Sequence, residues 1–195
     1  LLYRQCMSPG IFFEDFEKTE NSDYLHGVFG RCLVIATRFD SMCVRMSKAI
    51  KIKEEVILRI IEKQFNELDT ENEIKKLRNE AEFNQLVEKT LSKYLTLDKS
   101  IRTLGLPEQL SAILHEARKS RNEIAHSLTR DLEGCIDTKI DNTILIKKIE
   151  KLIENIVEGD IIISILISIF NEDPILNSQN LSQYKDKIID WVISP

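Results

Sequence analysis

Residues that break regular structure are scarce in this chain, with six glycines and four prolines among 195 residues, and there is one tryptophan. Such a composition disfavours a turn-rich β-sandwich and suits a helical protein. A membrane-spanning run is lacking too. The longest apolar stretch, 161–170 (IIISILISIF), is interrupted by Ser164 and Ser168 and is too short to cross a bilayer. No basic-then-apolar leader stands at the N-terminus, so a cytoplasmic protein with no membrane partner is expected. The four cysteines (Cys6, Cys32, Cys43, Cys135) form no C-x-x-C pair and have no histidine at ligand spacing, which argues against zinc. Cys32 and Cys43 are separated by roughly 16 Å along one predicted helix, too far for a disulfide. Both are expected to be buried thiols in a reducing compartment. Gly-rich phosphate loops, nucleophile elbows and His-Glu-x-x-His are absent, and no cofactor is expected. A net charge of −5 excludes a uniformly basic, duplex-coating surface but leaves room for a local basic cleft.

With 43% hydrophobic and 30% charged residues, the composition is that of an ordinary globular protein. A single domain over 1–195 is the default expectation at this length. Residues 1–20, with a Pro9-Gly10 turn and a cluster at Glu14, Asp15 and Glu17, are read as an irregular arm. Asn21, Ser22 and Asp23 are candidate caps of a long helix. Its apolar face would hold Phe29, Cys32, Leu33, Ala36, Phe39, Cys43, Met46 and Ile50. A second helix is expected over 56–68, buried through Val56, Ile60 and Ile61, and another over 71–97 with contacts from Leu77, Ala81, Leu86, Leu91 and Leu95. Gly105 breaks the chain, and Pro107 suits the first turn of a helix reaching about Leu128. After a turn at 131–134, a long helix or helix pair begins near Asn142. The isoleucine run at 161–170 is expected to continue it, buried on all sides. A loop at Pro174 and a closing helix over 181–193 complete an all-α bundle of about five to seven helices.

One segment carries chemistry: Ala117-Arg118-Lys119-Ser120-Arg121-Asn122-Glu123-Ile124-Ala125-His126. Cleavage of RNA by its own 2′-hydroxyl needs a proton acceptor for that oxygen, a proton donor for the leaving 5′-oxygen, and stabilisation of the charged phosphorane. Histidine suits the proton transfers near neutrality. A guanidinium clamps phosphate oxygens with two parallel donors and does not deprotonate. An amide such as Asn122 can orient the imidazole or bind a phosphate oxygen. This route requires no metal.

Arg121-Asn122-x-x-Ala-His126, toward the end of a helix in an all-helical chain, resembles the Arg-x4-6-His motif of the HEPN superfamily. The specific match covers about ten residues; the helical pattern agrees loosely over most of the chain. The resemblance implies a bundle of four to five helices, a homodimer whose two motifs meet in one cleft, and metal-independent RNA cleavage in the active members. Arg121, Asn122 and His126 would then be catalytic, with Arg118 and Lys119 guiding RNA. A toxin or phage-defence role, with an antitoxin or other regulatory protein as partner, is in keeping with it. In one subgroup of HEPN toxins a tyrosine two positions after the histidine is modified. Leu128 occupies that position here, so control of that kind is not expected.

Helix geometry adds a constraint. Leu110, Leu114, Ala117, Ile124 and Leu128 form an apolar stripe with Arg121 in its middle, while Arg118, Asn122 and His126 stack along an adjoining edge. Arg121 and His126 are about 140° apart on an ideal helix. Either the helix is distorted, or the site is completed across a two-fold axis. Plainer roles stand beside these. Arg121 could pair with a carboxylate of a facing helix, His126 could serve only the helix dipole, and Arg118, Lys119 and His115 could be surface residues. Arg38 and Arg45 could extend a basic cleft or pair with Asp40 and nearby glutamates. An endoribonuclease is the leading expectation; a non-catalytic HEPN module binding a partner protein or nucleotide is the alternative.

Overall fold

A computed structural model describes residues 19–66, 73–128, 142–175 and 177–195, with side chains described for these outside 63–80. The described residues form six α-helices and no strand: α1 (Glu20–Asn66), α2 (Glu73–Ser92), α3 (Leu97–Thr103), α4 (Glu108–His126), α5 (Asn142–Asn171) and α6 (Ser178–Ile193). This is the all-α bundle that the patterning implied. The acidic cluster at 14–17, Cys6, Cys135 and the turn at 131–134 lie outside the described residues, as does the arm up to residue 18.

Helix α1 starts earlier than expected, at Glu20. Its cap is Thr19 rather than Asn21, Ser22 or Asp23. Thr19 Oγ1 accepts from the Ser22 backbone N–H at 3.1 Å, and Ser22 Oγ accepts from the Thr19 N–H at 3.0 Å, which satisfies two donors reciprocally. Asn21 is engaged elsewhere, accepting from the Asn142 amide at the start of α5. The helix then runs unbroken for 47 residues, so the separate helix expected over 56–68 does not exist. The linking residues, Lys51-Ile52-Lys53-Glu54-Glu55, contain no breaker. This second half of α1 overshoots the core. Ile60 and Ile61, expected to be buried, are 52% and 44% exposed, and Ile57 and Leu58 are exposed beside them.

Helix α2 returns along that overhang, with Arg59 of α1 lying over the Phe83 ring. It ends at Ser92, five residues short of the expected boundary, and Ala81 and Leu91 are exposed rather than packed. Leu95 is buried, but in the non-helical link to α3. The patterning did not announce that short helix. Thr96 caps it, its hydroxyl accepting from the Lys99 N–H at 3.3 Å, and Leu97 and Ile101 bury its inner side. Gly105, at φ +61°, makes the expected break. Pro107 sits one position before the first turn of α4, as its N-cap.

Helices α4 and α5 pack against each other more extensively than any other described pair, and α1 packs against both. Leu114, Ala117, Ile124 and Leu128 of the predicted stripe are buried, whereas Leu110 is exposed at the edge. On α1 the predicted apolar face is buried apart from Leu33, exposed at 47%, and Ile50, half-buried. Helix α5 is one continuous helix through the isoleucine run, as expected, but that run is not buried on all sides. Ile163 is fully buried, while Ile169 is 57% exposed. Among the described residues no helix is long and apolar enough to cross a membrane.

Gly159 governs this packing. A Cβ there would lie 2.6 Å from Ala117 Cβ of α4 and 2.8 Å from the Phe39 ring of α1. No side chain fits where the three helices meet. The next residue, Asp160, is 2% exposed and accepts the Tyr184 phenol of α6 at 2.5 Å, with Arg38 of α1 at 3.3 Å. Arg38, its side chain half exposed, therefore pairs with buried Asp160 and not with Asp40, and it does not line a cleft. Burial, together with the bond to Asp160, pushes the Tyr184 phenol up to about 12. Helix α6 is also held by Tyr24, which donates to the Ile193 carbonyl at 2.7 Å, and by Arg31, which donates to those of Val192 and Ser194. Cys32 and Cys43 are buried free thiols, as expected. Burial pushes Cys32 up to about 12, and Cys43 is raised in the same direction.

Two stability measurements test this frame. Gly159→Ala is expected to lose about 1–3 kcal/mol by overpacking in urea unfolding. Gly30→Ala, where a Cβ meets nothing within 4 Å, is expected to gain up to about 1 kcal/mol from helix propensity. Equal effects would contradict the close approach at Gly159. Because the folded state holds the Tyr184 proton more tightly than the ordinary value of 10, its contribution is complete below pH 10 and lost as pH rises toward 12. Tyr184→Phe should flatten that alkaline fall in stability.

Candidate functional site

The face of α4 turned toward α1 carries Arg118, Arg121 and Asn122. It forms one wall of an open cleft of about 500 Å³. The opposite wall comes from α1, where Thr37, Asp40, Ser41, Val44, Arg45 and Lys48 recur at helical spacing. The third side is the link between α2 and α3, residues Lys93 to Thr96, followed by Leu97 and Asp98 of α3. The cleft therefore gathers residues 37 to 122 through the packing of four helices.

Arg121 lies in the apolar stripe of α4 but reaches out of it. One Nη donates to Asp40 Oδ2 of α1 at 2.5 Å and the other to Asn122 Oδ1 at 3.2 Å. The Arg121 and Asp40 side chains are 24% and 25% exposed, so the pair stands at the wall of the cleft and is not sealed beneath it. Pairing with a facing carboxylate, one of the plainer roles open in the sequence, is thus realised. The partner is an aspartate of α1. With its oxygen turned to Arg121, Asn122 can offer its amide N–H groups to the cleft.

His126 is the last residue of α4 and is exposed, and it does not line the cleft. Helix α4 runs without interruption through it, so a distortion bringing it beside Arg121 is not what the structure shows. Five residues of regular helix turn the two side chains apart, and no hydrogen bond joins His126 to Arg121 or Asn122. Of the two residues expected to guide RNA, Arg118 lines the cleft but is paired with Asp98 at 3.3 Å. Lys119 does not reach it, being exposed and paired with Glu116 at 2.9 Å. His115 is less exposed than a surface role implied, with Nδ1 3.8 Å from the same Asp98, which also binds Arg102.

Five cations (Arg45, Lys48, Lys93, Arg118, Arg121) and two carboxylates (Asp40, Asp98) line the cleft. Both carboxylates are already paired with arginines. Arg45, raised in the sequence as an alternative cleft residue, is there. Asp40, Lys48, Lys93 and Tyr94 were not singled out as a site. The spacing 37, 40, 41, 44, 45, 48 on α1 is a helical face, polar except for Val44, that could have shown the first two, whereas nothing local marks Lys93 and Tyr94. Among the described residues no cluster of His, Cys, Asp or Glu is arranged to hold a metal ion. Comparison of the chain with protein-family models, curated sequences and solved structures finds no match.

The exposure of Arg121 and Asp40 sets an expectation for their link. A partly solvated pair of this kind contributes about 1 kcal/mol or less. Arg121→Gln should therefore remain folded, with a small drop in urea midpoint and an unchanged slope. Loss of cooperative unfolding would make Arg121 a structural residue.

Proposed function

We propose that the protein is a HEPN-type endoribonuclease that cleaves RNA by attack of the 2′-hydroxyl, without a metal ion, as a toxin or phage-defence effector. The observation that carries this reading is the placement of Arg121 and Asn122, adjacent in the motif, on the wall of an open cleft in which cations outnumber carboxylates. In the reaction the 2′-oxygen forms a bond to phosphorus and gives up its proton. The bond from phosphorus to the 5′-oxygen then breaks, and that oxygen takes a proton. Arg121 is suited to clamp the non-bridging oxygens as charge builds on them, with the Asn122 amide as a further donor. His126 is the group for proton transfer. Because it faces solvent outside the cleft of its own chain, its role requires a second copy that brings His126 to the Arg121 of its neighbour. The active species in this reading is a homodimer with composite sites.

The ion pair between Arg121 and Asp40 favours a second reading, a non-catalytic HEPN module in which this arginine shapes a cleft for a nucleotide or partner protein. Incubation with RNA in EDTA separates the two. The nuclease reading expects cleavage to persist in EDTA and to fall about 10²–10⁴-fold in His126→Ala. Inactive Arg121→Ala and inactive His126→Ala chains, once mixed, should recover part of the activity. Cleavage abolished by EDTA, or undiminished in His126→Ala, would overturn the proposal.

A further inference from the structure

The cleft has lining residues that the cleavage reading does not use. Tyr94 lines it and is 87% exposed, far more than the next aromatic among the described residues, Trp191 at 46%. The backbone that carries the ring is anchored on both sides. On one side Ser92 ends α2; on the other, Leu95 is buried at 5% exposure and Thr96 caps α3. The same cleft is lined by Arg45, Lys48 and Lys93. Arg45 and Lys93 have no carboxylate partner among the described residues, and Lys48 donates to the Leu91 carbonyl at 2.5 Å, keeping its charge uncompensated. The cations of the cleft on α4, Arg118 and Arg121, are each matched by an aspartate. The excess positive charge of the site therefore lies on Arg45, Lys48 and Lys93, which share the cleft lining with the exposed aromatic ring, in a chain whose net charge is −5.

We propose that Tyr94 is the platform on which an unpaired base of single-stranded RNA stacks, while Arg45, Lys48 and Lys93 hold the flanking phosphates. The inference rests on the RNA reading of the cleft and narrows it to one class of substrate. A flat aromatic ring beside uncompensated cations matches the alternation of base and phosphate in a single strand. In a duplex the base faces are covered by their neighbours, and the deep major groove of A-form RNA does not admit side chains. A volume of about 500 Å³ suits a nucleotide-sized group and not a double helix. The stacked base would be anchored at Tyr94, with the strand passing on to Arg121.

The test uses the full chain and a fluorescent, uncleavable 2′-O-methyl 12-mer, with binding read by anisotropy so that it does not depend on catalysis. Single strand is expected to bind well above a blunt duplex of the same sequence. Tyr94→Ala should weaken single-strand binding about 5- to 100-fold, and Tyr94→Phe should restore it. Arg45→Ala and Lys93→Ala should each weaken binding and lower its dependence on salt. Lys187→Ala, on α6 and outside the cleft, serves as the control. Equal affinity for duplex and single strand, or unchanged affinity in Tyr94→Ala, would overturn the inference. So would displacement of the 12-mer by adenosine monophosphate at equal affinity, which would assign the cleft to a free nucleotide. Cleavage with no effect at Tyr94 would leave the nuclease reading standing alone. Stacking without cleavage would do the reverse.

Discussion

The absence of one side chain sets the architecture. At Gly159 the backbone of α5 comes so close to Ala117 of α4 and Phe39 of α1 that even a methyl group would collide. Close-packed interiors do not absorb such an overlap without moving a helix. The neighbouring residue extends the junction to a fourth element, since buried Asp160 takes the Tyr184 phenol from α6 and the Arg38 guanidinium from α1. A single turn of α5 thus fixes three other helices. Ala117 is one residue from Arg118 and one helical turn from Arg121, so the same contact sets how far the arginine-bearing face of α4 stands from α1. The cleft is a by-product of that spacing.

Charge is partitioned accordingly. Next to the junction, Arg38 serves Asp160 and is spent on structure, while seven residues further along α1 Arg45 faces the cleft without a carboxylate partner among the described residues. Asp40, between them, takes Arg121. Three consecutive charges of one helix therefore have three different fates, decided by which neighbour each meets. Residue type and exposure alone do not separate Arg38 from Arg45; the partner each meets distinguishes a structural cation from one available to a ligand.

Much of the bundle is legible in the sequence. The stripe through Leu114, Ala117 and Ile124 has the period of a buried helix face. Gly105 and Pro107 punctuate the chain where α4 begins, and the isoleucine run follows the helical phase of the segment before it. What escapes has physical reasons. Helix α3, at seven residues, is too short to display a period, and Thr96 blends into a polar neighbourhood. The apolar residues near Ile60 look like a buried face because composition does not say where a core ends, and α1 outruns it. At the site, the wide angle between Arg121 and His126 is legible from spacing. The partner of Arg121 is not, because Asp40 is 81 positions away and only tertiary packing brings it near. Lys93 and Tyr94 lie in a link whose position depends on that same packing.

The continuity of α1 has a hydrodynamic consequence. A helix of 47 residues is about 70 Å long, whereas a compact chain of 195 residues would be about 40 Å across. With α2 folded back along the overhang, the particle is elongated and meets more friction than a sphere of its mass. On a gel-filtration column a single copy would run ahead of its 22.6 kDa and imitate a larger assembly. The number of chains in solution has to be read from scattering or sedimentation equilibrium, where mass and shape separate.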